Sequence, residues 1–82
     1  MEHRGAIRLN ERLVYGLAIV LEDEVRLRIA TGEWETVPLE TGAVVVLRVP
    51  GAVRRLLLAS TANRPDAGYT WIQFLSPVRL DR

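Results

Sequence analysis

Arginine supplies most of the recognition chemistry available to this chain. Eleven arginines and no lysine face ten acids, one histidine and no cysteine, for a net charge of +1. Arg4 and Arg8 spell Arg-x-x-x-Arg directly ahead of an apolar run, with Arg12 four residues on, and Arg26 and Arg28 form a second, closer pair. A guanidinium is a planar fork that grips a phosphate or a guanine edge through two parallel hydrogen bonds, where an ammonium offers a point charge. Arg4, Arg8, Arg12, Arg26 and Arg28 are therefore the candidate ligand-binding residues, and a phosphate-bearing ligand is what they would hold. A compositional bias toward arginine is the simpler explanation of the count, so position in the fold must decide.

Catalysis is poorly supplied. His3, the sole histidine, sits in what reads as an N-terminal tail, and a metal site or a nucleophile-base pair needs several such groups held together. The acidic pairs Glu22-Asp23 and Glu33/Glu35 read as solvated turns, and the glycines are scattered singly with no phosphate-cradling loop. No enzyme activity, metal or cofactor is implied.

The elements that must position the arginines are strands. Leu13–Leu21 alternates larger and smaller apolar residues, a pattern for a strand covered on both sides. In Val25–Ile29 the apolar residues share one face while Arg26 and Arg28 share the other, the mark of a half-buried antiparallel strand. Trp34–Val37 reads as a short strand stopped by Pro38. Ala43–Val49 and Ala52–Ser60 are joined by Pro50-Gly51, where proline presets φ and glycine accepts positive φ, so the two runs form a hairpin. Consecutive Arg54 and Arg55 must face opposite ways, which requires either a bulge or the end of the arm. Thr61–Gly68 reads as a loop and Tyr69–Leu75 as the last strand.

Five or six strands in 82 residues, with turn signals every 8 to 12, is the spacing of a small antiparallel β-barrel and not of βαβ units. The expected organisation is an N-terminal segment with the arginine motif over 1–12, an all-β barrel domain over 13–76 and a C-terminal tail over 77–82. The barrel ends would be plugged or rimmed by Trp34 and Trp71. No apolar run approaches 18 residues, so no membrane span is expected, and Met1–Ala6 carries no apolar signal core, which implies a cytoplasmic protein.

An arginine motif, a first strand, Leu39-x-x-Gly42 ahead of a Val-rich strand, and a late strand ending Trp71-Ile-Gln-Phe74 together resemble the PilZ domain family over Arg4 to about Pro77. The resemblance implies a six-stranded barrel that serves as a receptor for the bacterial second messenger cyclic diguanylate, or as a ligand-independent signalling adaptor to a protein partner. Arg4 and Arg8 match the family's arginine motif, which holds the dinucleotide's phosphates and guanines. The family's second motif, Asp/Asn-x-Ser-x-x-Gly, falls on Ala18–Arg26, which has neither the serine nor the glycine.

Two other readings come from the residues themselves. One is an Sm-like or SH3-like barrel that binds nucleic acid through Arg26, Arg28, Arg54 and Arg55, with Tyr69 or Trp71 as a stacking surface. The other is an interaction module that forms a homodimer through an apolar face of Leu13–Leu21 or Ala43–Val49.

Overall fold

Apolar residues at every second position give each strand one face that must be covered, and a sheet that curls on itself covers it. In the computed structural model, which describes residues 1–64 and 66–77, six antiparallel strands do this. They are β1 (Glu2–Leu9), β2 (Arg12–Val20), β3 (Glu24–Ala30), β4 (Val44–Val49), β5 (Ala52–Arg64) and β6 (Tyr69–Leu75), with one helical turn, α1 (Thr31–Trp34), after β3. They close into a barrel in the order β1-β2-β3-β6-β5-β4. Three strands meander, the chain crosses one barrel end, the β4-β5 hairpin closes against β1, and β6 returns between β3 and β5.

The inward positions form one core. Ile7 and Leu9, Val14 and Ala18, Val25, Leu27 and Ile29, Val45 and Leu47, Leu56 and Leu58, and Ile72 and Phe74 are fully or almost fully buried. Val37, with partly buried Trp34 and Leu39, covers the end of the barrel that α1 crosses. Trp34 is thus an end plug, as its size requires in so small a barrel. At the same end, Thr70 is the one buried polar residue among the described residues, and its hydroxyl is paired with that of Thr31 at 3.0 Å.

Closure rests on a short seam. β1 meets β4 through Arg8 opposite Arg48 and Leu9 opposite Leu47. Asn10 extends the contact: its backbone N–H donates to the Val46 carbonyl at 2.8 Å, and its Oδ1 accepts from the Val46 N–H at 2.9 Å. Asn10 opens the two-residue β1-β2 turn with a φ of 56°, a conformation asparagine tolerates better than most residues. The Pro50-Gly51 turn forms as its residues dictate, with Gly51 at φ 89° and Val49 opposite Ala52.

Three expectations change. The segment 1–12 is no separate tail: Glu2–Leu9 is a barrel strand paired with β2 along its whole length, so His3 is held in the sheet. Trp34–Val37 is not a strand; the chain must turn there to cross the barrel end, and it does so through α1 and the turn after it. Thr61–Arg64 is strand and not loop, because β5 continues beyond β4 alongside β6. The bulge of β5 lies elsewhere, between Leu58 and Ser60, and of the two alternatives for Arg54-Arg55 the arm end holds. There Arg54 takes the inward side, and its guanidinium donates to the Leu21 carbonyl at 3.1 Å across the barrel mouth. Of the expected tail, 78–82 lies outside the described residues.

Candidate arginine-aromatic ligand site

The outward side chains of β1, β2, β3 and β6 are aligned by register. Arg4 lies opposite Leu17, Leu17 opposite Arg28, and Arg28 opposite Trp71. The adjacent row pairs Ala6 with Tyr15 and Ala30 with Tyr69. Strands sit about 4.8 Å apart, so Arg4 and Arg28 stand about 10 Å from each other across Leu17. Leu17 is buried even though it faces outward, so the surface between the two arginines has an apolar floor.

These residues form a shallow open groove of about 310 Å³ lined by Arg4, Gly5, Tyr15, Leu17, Arg28 and Tyr69, among others. Two glycines shape it. Gly5 and Gly16 face each other across β1 and β2; Gly5 has a φ of 143°, and a methyl group on Gly16 would meet the Arg28 carbonyl oxygen at 2.4 Å. The backbone conformation at Gly5 and the close approach of β3 at Gly16 both disfavour a side chain there.

Arg28 is the centre of the site. Its guanidinium carbon lies 4.8 Å from the centroid of the Tyr69 ring and 5.9 Å from that of Trp71, within cation-π range of both. Stacking holds the side chain over the two rings, and among the described residues none accepts a hydrogen bond from its N–H groups. Among the described residues the one ion pair is Arg26 with Glu24, at 2.6 Å, and Gln73 donates to the other Glu24 oxygen at 3.3 Å. The carboxylate of Glu24 is thus engaged by its neighbours. Arg26 lies beside a second, smaller groove of about 190 Å³ with Trp71, Gln73, Ser60 and Ala62.

The five candidate arginines are distributed unevenly. Arg4 and Arg28 share the groove. Arg26 lies one row away on the same face, neutralised by Glu24. Arg8 faces outward like Arg4 but stands at the seam, opposite Arg48, separated from Arg4 by Ala6. Arg12 sits at the β1-β2 turn, where it donates to the Thr36 hydroxyl at 2.6 Å and borders an apolar depression formed with Leu9, Val37, Pro38 and Leu39. The Arg-x-x-x-Arg spacing therefore puts two guanidinium groups on one side of a strand without joining them in one pocket. Arg54 and Arg55 lie on β5, away from the groove, with Arg54 spent on the barrel mouth.

Tyr15 is a groove residue that reading the sequence alone missed. Its signal was the two-residue turn at Asn10-Glu11, which sets Ala6 opposite Tyr15 and Arg4 opposite Leu17 once 1–12 is recognised as a strand. Trp71, expected as a plug or rim residue, stands half-buried on the outer face against Arg28. No helix of the described residues is long and apolar enough to cross a membrane. Comparison of the chain with protein-family models, with curated proteins and with solved structures finds no match.

Proposed function

We propose that this chain is a small, non-enzymatic regulatory barrel that binds a phosphate-bearing purine dinucleotide in the groove between Arg4 and Arg28, cyclic diguanylate being the ligand its PilZ-like features imply. The observation that carries this reading is the stacking of Arg28 over Tyr69 and Trp71 while Arg4 lines the same groove. A purine presents a flat face to Tyr15 or Tyr69, and each guanidinium offers paired N–H donors to a phosphate. The absent Ser and Gly of the second family motif remove contacts from the ligand, and the Arg28-aromatic stack supplies others in their place.

Calorimetric titration of cyclic diguanylate into the wild type, Arg4→Ala and Arg28→Ala tests it. Saturable heat with the wild type, weakened in both variants, supports the reading. Wild-type affinity in both variants overturns the site. A protein that gives no heat at all is left with the adaptor role, a protein partner and no ligand.

One observation favours a second reading, single-stranded nucleic acid. Trp71 borders the Arg26 groove as well as contacting Arg28, so the arginine-aromatic surface continues beyond one dinucleotide toward β5. Quenching of tryptophan fluorescence by a short oligonucleotide, reversed by salt and absent with cyclic diguanylate, is its signature.

A further inference from the structure

β5 is longer than its neighbour. Its pairing with β4 runs from Ala52 to Leu57 and ends with the Ala43 and Gly42 backbone bonds to Leu58. Beyond Leu58, Ser60–Arg64 has β6 on one side, and among the described residues no strand on the other. Alternate backbone N–H and C=O groups along this edge point outward with no strand to receive them, and exposed edges of this kind pair readily with another strand.

Proteins blunt such edges with charge, proline or distortion. Another free edge among the described residues, β1 before Ile7, is blunted in this way: it carries Glu2 and Arg4, and Gly5 takes a φ of 143°. Ser60-Thr-Ala-Asn63 has neither charge, proline nor glycine; such devices stand only at its ends, the bulge before Ser60 and Arg64-Pro65 after Asn63.

We propose that this edge pairs with the same edge of a second copy, antiparallel, about a two-fold axis at Ala62. That register sets Ala62 opposite Ala62, Thr61 opposite Asn63, and Ser60 opposite Arg64. No like charges face each other, because the two Arg64 residues fall about 13 Å apart along the strands. The small outward side chain of Ala62 leaves the axis open. The bulge after Leu58 at one end and Arg64 at the other confine pairing to five residues. An isologous contact uses the edge of both copies, so assembly stops at the dimer. The joined sheets run β3-β6-β5-β5-β6-β3, which brings the two Trp71 residues of one outward row to about 14 Å and doubles the Arg28-Trp71 surface on a continuous face. The pairing does not depend on the ligand assigned above.

Five paired residues make a small interface, so the dimer is weak and concentration-dependent. Sedimentation velocity of the full chain from the low micromolar range to about 1 mM is expected to show reversible dimerisation. Ala62→Glu and Ala62→Lys each place like charges across the axis and weaken the dimer at least about tenfold, and an equimolar mixture of the two restores it. A wild type that stays monomeric overturns the proposal, as does a dimer that survives in either variant or a mixture that fails to associate. Hydrogen exchange on the wild type gives an independent reading that needs no variant: protection of alternate amides in Ser60–Arg64 rises with concentration. Unchanged protection there while a dimer forms also overturns it.

Discussion

At the scale of single residues, the proposed ligand site turns on Arg28. Its position opposite Trp71 on β6, one row from Tyr69, gives it two aromatic faces and an ordered fork. Removing it as Arg28→Ala loses one bidentate contact and the stack, and is expected to weaken ligand binding by roughly 10- to 100-fold, with the melting temperature little changed. Arg28→Lys keeps the charge and loses the fork, so titration should place it between the two. Gly16 acts on the same site from beneath. A methyl group there would collide with the Arg28 backbone carbonyl. Gly16→Ala should therefore cost about 1–3 kcal/mol of stability in denaturant unfolding and lower ligand affinity as well, since β3 must shift at Arg28.

At the scale of elements, the β1-β4 seam is where the barrel is thinnest. Two register pairs and the Asn10 side chain and backbone hold it. Asn10→Ala removes the bond to the Val46 N–H and leaves a poorer residue at positive φ, for a loss of about 1–2 kcal/mol. That corresponds to a melting-temperature drop of roughly 5–15 °C in a domain of this size. Asn10→Gly relieves the backbone and still loses the side-chain bond, so a smaller drop, read by thermal unfolding, separates the two contributions. By contrast β5 and β6 share a long ladder interrupted by one bulge, and this ladder carries the aromatic side of the groove.

For the whole molecule, small size and even charge set the limits. A domain this short buries only about 60–65% of its unfolded surface, so each large core side chain matters. Phe74 is fully buried and the largest of the inward residues. Its truncation to alanine is expected to cost about 3–5 kcal/mol, enough to leave a large unfolded fraction by circular dichroism at 37 °C. A net charge of +1 provides little long-range attraction for polyanions. Binding of a dinucleotide through two phosphates should fall with salt on a log-log slope of about −1.4, whereas an extended strand that engages more arginines gives a slope several times steeper.

Reading and structure agree where local chemistry is sufficient. The alternation in Val25–Ile29 and Tyr69–Leu75 fixes which residues face inward, and Pro50-Gly51 fixes a hairpin, because pleat and turn geometry depend on neighbours along the chain. The all-β barrel was legible from these together with the spacing of five or six strand-length runs between turn signals. The N-terminal strand was hidden because Arg4-Gly-Ala-Ile-Arg8 alternates weakly: Gly5 occupies an inward position with a φ of 143°, a conformation that side chains rarely adopt. The turn of α1 and the extension of β5 were hidden because their conformations answer to the barrel end and to β6, not to their own composition. The sequence by itself determined a sheet-built domain rich in guanidinium groups. Only the tertiary structure decided that Arg28, with Tyr69 and Trp71, faces Arg4 across one groove while Arg8 and Arg12 stand elsewhere. Register across four strands sets that grouping, and register is a relation between distant segments that no local pattern contains.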